Sequence, residues 1–203
     1  MAALLLVLSF CYRPILNGAA GYLAPSEDGK ADLVILEGVQ VVREGAVAAG
    51  KELIFKGQAD RLIVVLHQMP KEEQLFALPS NYPKLVQNEM ERAGFKRDQF
   101  LVMAVPVIHP ITLTEAKYVL AELGRLKVRR AILSSEGFHT RRSYWVYRQE
   151  GEKYGIQIIP RPYYISYQKE NWWQNIEGVR AFVTEYLKLG YYFLKGYISV
   201  RGR

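Results

Sequence analysis

An α/β fold with a mostly parallel sheet of about five strands is the architecture this sequence predicts. Two observations predict it. Five short apolar runs, Leu33 to Leu36, Leu62 to Leu66, Phe100 to Val105, Ala131 to Leu133 and Ile156 to Ile159, lack polar alternation, as expected of strands buried on both faces. Between them lie segments with helical spacing, so each run is followed by a crossover that lays a helix on the sheet. The result is a three-layer, Rossmann-like domain. In such domains ligands bind beyond the carboxyl ends of the strands, where the strand order reverses.

The elements follow in order. Pro25 to Lys30 is a polar loop that separates an N-terminal hydrophobic segment, residues 1–24, from an α/β domain over 25–203. Leu33 to Leu36 is the first strand. Val42 to Phe55 reads as a helix with Ala46, Ala49, Leu53 and Ile54 on its buried side. Leu62 to Leu66 is a second strand, rich in β-branched residues. Tyr82 to Ala93 is a helix ended by Gly94. Phe100 to Val105 is the third strand, and Thr114 to Leu123 a helix stopped by Gly124. Ala131 to Leu133 is the fourth, followed by a small-residue turn and a helix over His139 to Arg148. Ile156 to Ile159 is the fifth, ended by Pro160 and Pro162. A long helix from Asn175 to Leu194 closes the domain, with Ile176, Val179, Val183, Tyr186, Leu187 and Leu194 at core spacing.

With 203 residues, half of them hydrophobic, the chain has enough length for one real core. The net charge of +7 favours anionic partners. Its basic residues are scattered, apart from Arg125, Lys127, Arg129 and Arg130, and no nucleic-acid motif accompanies them, so no nucleic-acid partner is expected. Cys11 is the sole cysteine, which excludes an intramolecular disulfide. Patterns for dinucleotide, P-loop, α/β-hydrolase and zincin sites are absent.

Chemistry is concentrated in the strand-end loops. The segment from Arg130 to Arg148 is a strand, a turn and a helix that opens with His139, Arg141 and Arg142. Cationic side chains there join free N–H groups and the positive end of the helix dipole, a setting that suits an anion. Arg142 is expected to clamp a carboxylate or phosphate bidentately, with His139 donating to the same anion or moving a proton. A helix-capping, salt-bridging role on a solvated face is the plainer alternative for both. Glu115 opens the preceding helix, as a dipole-complementing carboxylate or as base and partner to His139 across the cleft. Thr112 and Thr114 suit its N-cap. His67 and Gly38 sit in the loops after the second and first strands, and Ser135 in the turn after the fourth. Arg142, Ser135, Thr114, Gly38 and His67 thus form the candidate ligand contacts, with Glu115 and His139 as candidate catalytic groups. No metal is expected: His67, His109 and His139 lack a supporting carboxylate spacing. No cofactor is identified. Trp172, Trp173, Tyr163, Tyr164 and Tyr167 form an aromatic cluster expected to cover the final helix.

The ordered set of these segments resembles the bacterial YdcF/SanA/ElyC-like family. The family's Ala-Asp, hydrophobic strand and Gly-Gly opening is similar to Ala31-Asp32-Leu33-Val34-Ile35-Leu36-Glu37-Gly38. Its Leu-x-x-x-Gly helix end is matched by Leu53 and Gly57, and its Thr-x-Glu-Asn-Ala helix start by Thr114-Glu115-Ala116. Its Thr-Ser-x-x-His-x-x-Arg-Ala segment is similar to Ser135 through Ser143, and its Trp followed by Glu-Tyr-x-Lys to Trp172 or Trp173 with Glu185-Tyr186-Leu187-Lys188. The resemblance implies an envelope factor of cell-wall or lipid-carrier metabolism at the bacterial inner membrane, its domain on the periplasmic side. It also implies an N-terminal anchor, so residues 1–24 are read as a shortened anchor rather than a signal-like segment or a buried helix. A phosphate-bearing small molecule or lipid-linked ligand is the expected partner. A transferase or hydrolase at a phosphoryl or glycosyl centre, or an inactive scaffold, are the alternatives. Where the family carries Gly-Gly and Ser-Gly-Gly, this chain has Glu37-Gly38 and Leu66-His67-Gln68, and the Asn beside Glu115 is missing. These departures are expected to narrow the pocket.

Overall fold

The computed structural model describes residues 2–39, 42–68 and 82–199, with the side chains of residues 2–11 and 39 left aside. Five parallel strands, β1 (Leu33–Val39), β2 (Arg61–Gln68), β3 (Phe100–Pro106), β4 (Arg130–Glu136) and β5 (Gln157–Tyr163), form one sheet in the order β3-β2-β1-β4-β5. The order runs outward in one direction from β1 and in the other from β4. The reversal therefore lies between these two strands, as the predicted α/β class requires.

Alternation along the buried strands sorts the core into two layers. Ile35, Val65, Leu133 and Ile158 face one side, where they meet helices α1 (Ala2–Leu23), α4 (Ile111–Arg125), α5 (Thr140–Gly151) and α6 (Ile176–Leu194). Leu36, Val64, Ile132 and Ile159 face the other, against Leu53 of α2 (Glu44–Phe55) and Val86 and Met90 of α3 (Tyr82–Arg92). Period-two side chains on a doubly covered sheet produce this split. Asp32 fastens the lower edge: its carboxylate accepts from the backbone N–H groups of Arg129 at 2.7 Å and Arg130 at 3.0 Å, tying the start of β1 to that of β4.

Several boundaries differ from the sequence expectation. β5 runs through Pro160 and Pro162 instead of ending at them, because it is an edge strand that pairs on one side with β4. Helix α4 starts three residues before Thr114 and includes Gly124, so neither Thr112 nor Thr114 is its N-cap. Asn175 caps α6 as a side-chain acceptor, 2.8 Å from the Glu177 N–H.

The largest correction concerns α6. Ile176, Val183, Leu187 and Leu194, expected in the core, are exposed, while Gly178, Glu185, Leu189 and Tyr192 are buried. The helix has apolar residues on two sides. The buried side is fixed by Phe182, stacked on Trp172 at 3.9 Å, and by Glu185, which meets Arg142. The aromatic cluster gathers on Phe138, which touches the rings of Tyr164, Tyr167, Trp172 and Phe182.

The C-terminal half of α1 docks on this side of the domain. Ala20 and Leu23 are buried, Trp172 Nε1 donates to the Leu16 carbonyl at 3.4 Å, and Arg141 donates to the Tyr22 carbonyl and lies over the Tyr22 ring. Among the described residues, no helix is long and apolar enough to cross a membrane.

Candidate functional site

The carboxyl ends of β1 and β4, on either side of the strand reversal, deliver the polar groups. β1 ends in Glu37 and Gly38; β4 ends in Ser134, Ser135 and Glu136. Helix α5 then presents His139, just before its start, with Arg142, Ser143 and Tyr147. These are spaced three, four and eight residues from His139, so they share one face. Gly137 makes the entry turn, with φ of +49°, and a Cβ there would run into the Tyr167 hydroxyl. That hydroxyl accepts from the Phe138 N–H at 3.2 Å, so glycine is needed both for conformation and for space.

Two buried networks result. In the first, Arg142 donates to Glu185 through Nε at 2.9 Å and Nη2 at 3.1 Å, and to Thr112 Oγ1 through Nη1 at 2.8 Å. His139 stands between two carboxylates, its Nε2 2.9 Å from Glu37 and its Nδ1 3.3 Å from Glu185. Ser143 donates to Glu37 and lies 2.9 Å from His139 Nε2. In the second, Glu115 meets His67 Nε2 at 2.6 Å, accepts from the Tyr147 hydroxyl at 2.6 Å and accepts from the Gly38 N–H at 3.1 Å. A Cβ at position 38 would overlap both Glu115 Oε2 and His67 Nε2, which explains the glycine there.

Electrostatics follow from these distances. Burial by itself would lower the His139 pKa, but Glu37 and Glu185 outweigh it and the repulsion of Arg142, raising the imidazole to about 9. Burial opposes ionisation of Glu37 and Glu185 too. The His139 charge and donors around them, Arg142 at Glu185 and hydroxyls at Glu37, hold both below the usual carboxylate range. Arg142 Nη2 lies 2.8 Å from His139 Nδ1, a contact suited to a neutral, accepting ring. Once the ring is charged, Nδ1–H and Arg142 compete for Glu185 and that contact has to open. Burial, with Glu115 and Glu37 nearby, pushes the Tyr147 hydroxyl well above its ordinary value.

A cleft of about 340 Å³ opens beside the first network. Its floor is Glu37, Gly38 and His139; Tyr163 and Tyr167 form one wall; Arg180, Thr184 and Lys188 of α6 form the other. Glu37 Oε2 is buried there without a hydrogen-bond partner among the described residues, as are Ser134 Oγ and Ser135 Oγ. Ser135 is nonetheless near enough to Glu37 to favour its ionised form. Glu136 is paired with Arg43 at 3.3 Å, and Lys188 reaches Glu185 at 3.2 Å.

Of the residues expected from sequence, His139 and Gly38 reach the cleft, joined there by Glu37, which was not among them. Arg142 is not a free clamp: its guanidinium is consumed by Glu185 and Thr112. Glu115 partners His67, Gly38 and Tyr147 rather than His139. Thr114, partly buried in the first turn of α4, belongs to neither network. His109 is exposed, and among the described residues no group of metal-ligating side chains converges. Glu185, Ser143, Tyr147, Arg180 and Lys188 were not singled out as site residues. For Ser143 and Tyr147 a signal existed in their spacing from His139; for Glu185 and Lys188 it was the Glu-Tyr-x-Lys segment. No family model, curated protein or solved structure matches the chain.

Proposed function

We propose that the cleft binds a small molecule carrying both a phosphate and hydroxyl groups, such as a sugar phosphate or nucleotide, free or lipid-linked. One observation carries this reading. Lys188 and Arg180 of α6 line one cleft with Glu37 and His139 from the strand ends. The Glu37 carboxylate at the cleft is an acceptor, and a ligand hydroxyl is a donor that suits it. Cationic side chains on a partly enclosed wall suit the phosphate. Each of the four carboxylates lining the cleft has a cationic partner: Glu185 has Arg142, His139 and Lys188, Glu37 has His139, Glu136 has Arg43, and Glu177 has Arg180 at 3.7 Å. Tyr163, partly exposed in the cleft lining, is an aromatic side chain on which a ring can pack. The volume suits a small ligand, and the place is where such sheets take one.

The anion grip is therefore assigned to Arg180 and Lys188, with Arg142 holding α6 in place. Proton transfer draws less support. Both ring nitrogens of His139 face protein groups, and Glu115 is turned to His67. The resemblance to the YdcF/SanA/ElyC-like family supports the setting: a membrane-associated bacterial envelope factor, its domain on the periplasmic side of the inner membrane, in cell-wall or lipid-carrier metabolism.

A thermal-shift screen against nucleotides, sugar nucleotides, sugar phosphates and polyprenyl phosphates tests the reading. A true ligand at one hundred times its Kd stabilises the fold by about 2.7 kcal/mol. The shift is expected to shrink in Lys188→Ala and Arg180→Ala, both exposed positions, and to weaken with salt. Absence of any shift, or a shift indifferent to both substitutions, overturns it.

A further inference from the structure

The exposed side of α6 repeats at alternating steps of four and three residues: Ile176, Arg180, Val183, Leu187, Gly190 and Leu194. That is the spacing of a helix-pairing seam, in which positions a and d of a heptad face a partner helix. The four apolar members are 77%, 50%, 71% and 90% exposed, although nothing about them is polar. The opposite side of the same helix packs on the domain, so the seam is not a misplaced core face.

From this seam we infer that the chain pairs with a second copy of itself, α6 against α6 in antiparallel orientation. The register that centres the pair near Glu185 sets Ile176 against Leu194 of the other copy and Val183 against Leu187. The same register sets Arg180 against Gly190. The two members of the seam that are not apolar thus face each other, one long and one without a side chain. Among the described residues Gly190 has no cause: a Cβ there meets nothing within 4 Å, and its φ is ordinary. A mid-helix glycine costs roughly 0.5–1 kcal/mol against alanine, so a close approach from outside gives it a reason. Arg180 then lies with its stem along the partner helix while its head lines the cleft. At the seam's edge, Glu177 falls opposite the Tyr191 hydroxyl of the second copy, an acceptor against a donor.

Nineteen residues make a helix about 28 Å long. Two such helices bury less than the roughly 800 Å² per partner of a standard interface. The pair is accordingly expected to be weak, forming at micromolar concentrations.

Sedimentation of the full chain across that range, in a Cys11→Ser background, tests the inference. A monomer–dimer equilibrium is expected, and Leu187→Glu raises its Kd at least tenfold while circular dichroism and melting stay native-like. Orientation is read by mixing Val183→Cys with Leu187→Cys: the mixture forms a disulfide-linked dimer, and neither variant alone does so to the same extent. A chain that stays monomeric overturns the inference. So does a dimer indifferent to Leu187→Glu, or one in which each cysteine variant links to itself. Monomers that bind anionic phospholipid vesicles through Leu187 assign the seam to a bilayer and overturn it equally.

Discussion

Glu185→Gln removes one charge from a site that shelters three others. The carboxylate accepts twice from Arg142, lies 3.3 Å from His139 and receives Lys188 at 3.2 Å. Its neighbour Arg142 is almost wholly buried, so the guanidinium cannot turn to water when its partner is neutralised. Breaking a buried pair from one side costs about 3–5 kcal/mol. For a domain of this size each kcal/mol lowers Tm by roughly 2–4 °C, giving a fall of about 6–20 °C. Calorimetry, or urea denaturation monitored by tryptophan fluorescence, reads it directly. The companion measurement is a double variant, Arg142→Met with Glu185→Leu, which removes both charges and keeps apolar volume. It is expected to be more stable than either single variant, because no charge is stranded. A Glu185→Gln loss within about 1 kcal/mol, the scale of an exposed pair, refutes the buried network.

The same charges set a pH profile. His139 is raised from 6.5 to about 9, so its stabilising contribution is complete below pH 6.5 and is lost as pH rises through about 9. Glu37 and Glu185 are held below 4.5, so theirs is complete above that pH and lost as it falls further. Stability is expected to be greatest between about 4.5 and 6.5 and to decline past 9; in His139→Gln the alkaline decline should shrink, as urea melts across pH will report. Gly38→Ala forces a methyl into the His67–Glu115 contact and is expected to cost about 1–3 kcal/mol, the scale of overpacking, with the urea midpoint as readout. Gly137→Ala, strained in φ and pressed on Tyr167, should cost more than Gly38→Ala by the same measurement.

The sheet was legible because burial on both faces leaves uninterrupted apolar runs in the inner strands, and each of the five runs is a strand, although β3, at an edge, has Leu101 and Ala104 exposed. The prolines of β5 misled because strand propensity reflects the interior of a sheet, whereas an edge strand tolerates a missing donor. The site was legible as a place. The carboxyl ends of β1, β2 and β4, rather than loops beyond them, carry Gly38, His67 and Ser135, and the turn and helix after β4 carry His139 and Arg142. Its pairing was not legible. Glu115, Glu37 and Glu185 come from distant parts of the chain, and nothing local says which carboxylate meets which histidine. Arg142 looked free only because its partner lies 43 residues further on.

On helix α6 a buried ion pair bears on the choice of face together with hydrophobic pattern. The helix's seam of Ile176, Val183, Leu187 and Leu194 is apolar, while the side it buries carries Gly178 and Glu185 beside Phe182, Leu189 and Tyr192. Apolar residues lie on both sides, so the ion pair acts together with packing in selecting the observed rotation. Turning the seam inward would carry Glu185 to solvent and leave Arg142 and His139 without it, a cost of the order of 3–5 kcal/mol. The pair thus acts on specificity as well as stability, and the two effects separate experimentally. In the Arg142→Met and Glu185→Leu double variant, stability returns while the preference for one face is lost. A cysteine replacing Leu189, buried in the native rotation, reports it in a Cys11→Ser background. That thiol should be protected from alkylation with the pair intact and reactive without it, at equal stability. Equal protection in both would mean that Phe182, Tyr192 and Trp172 hold the helix by packing alone.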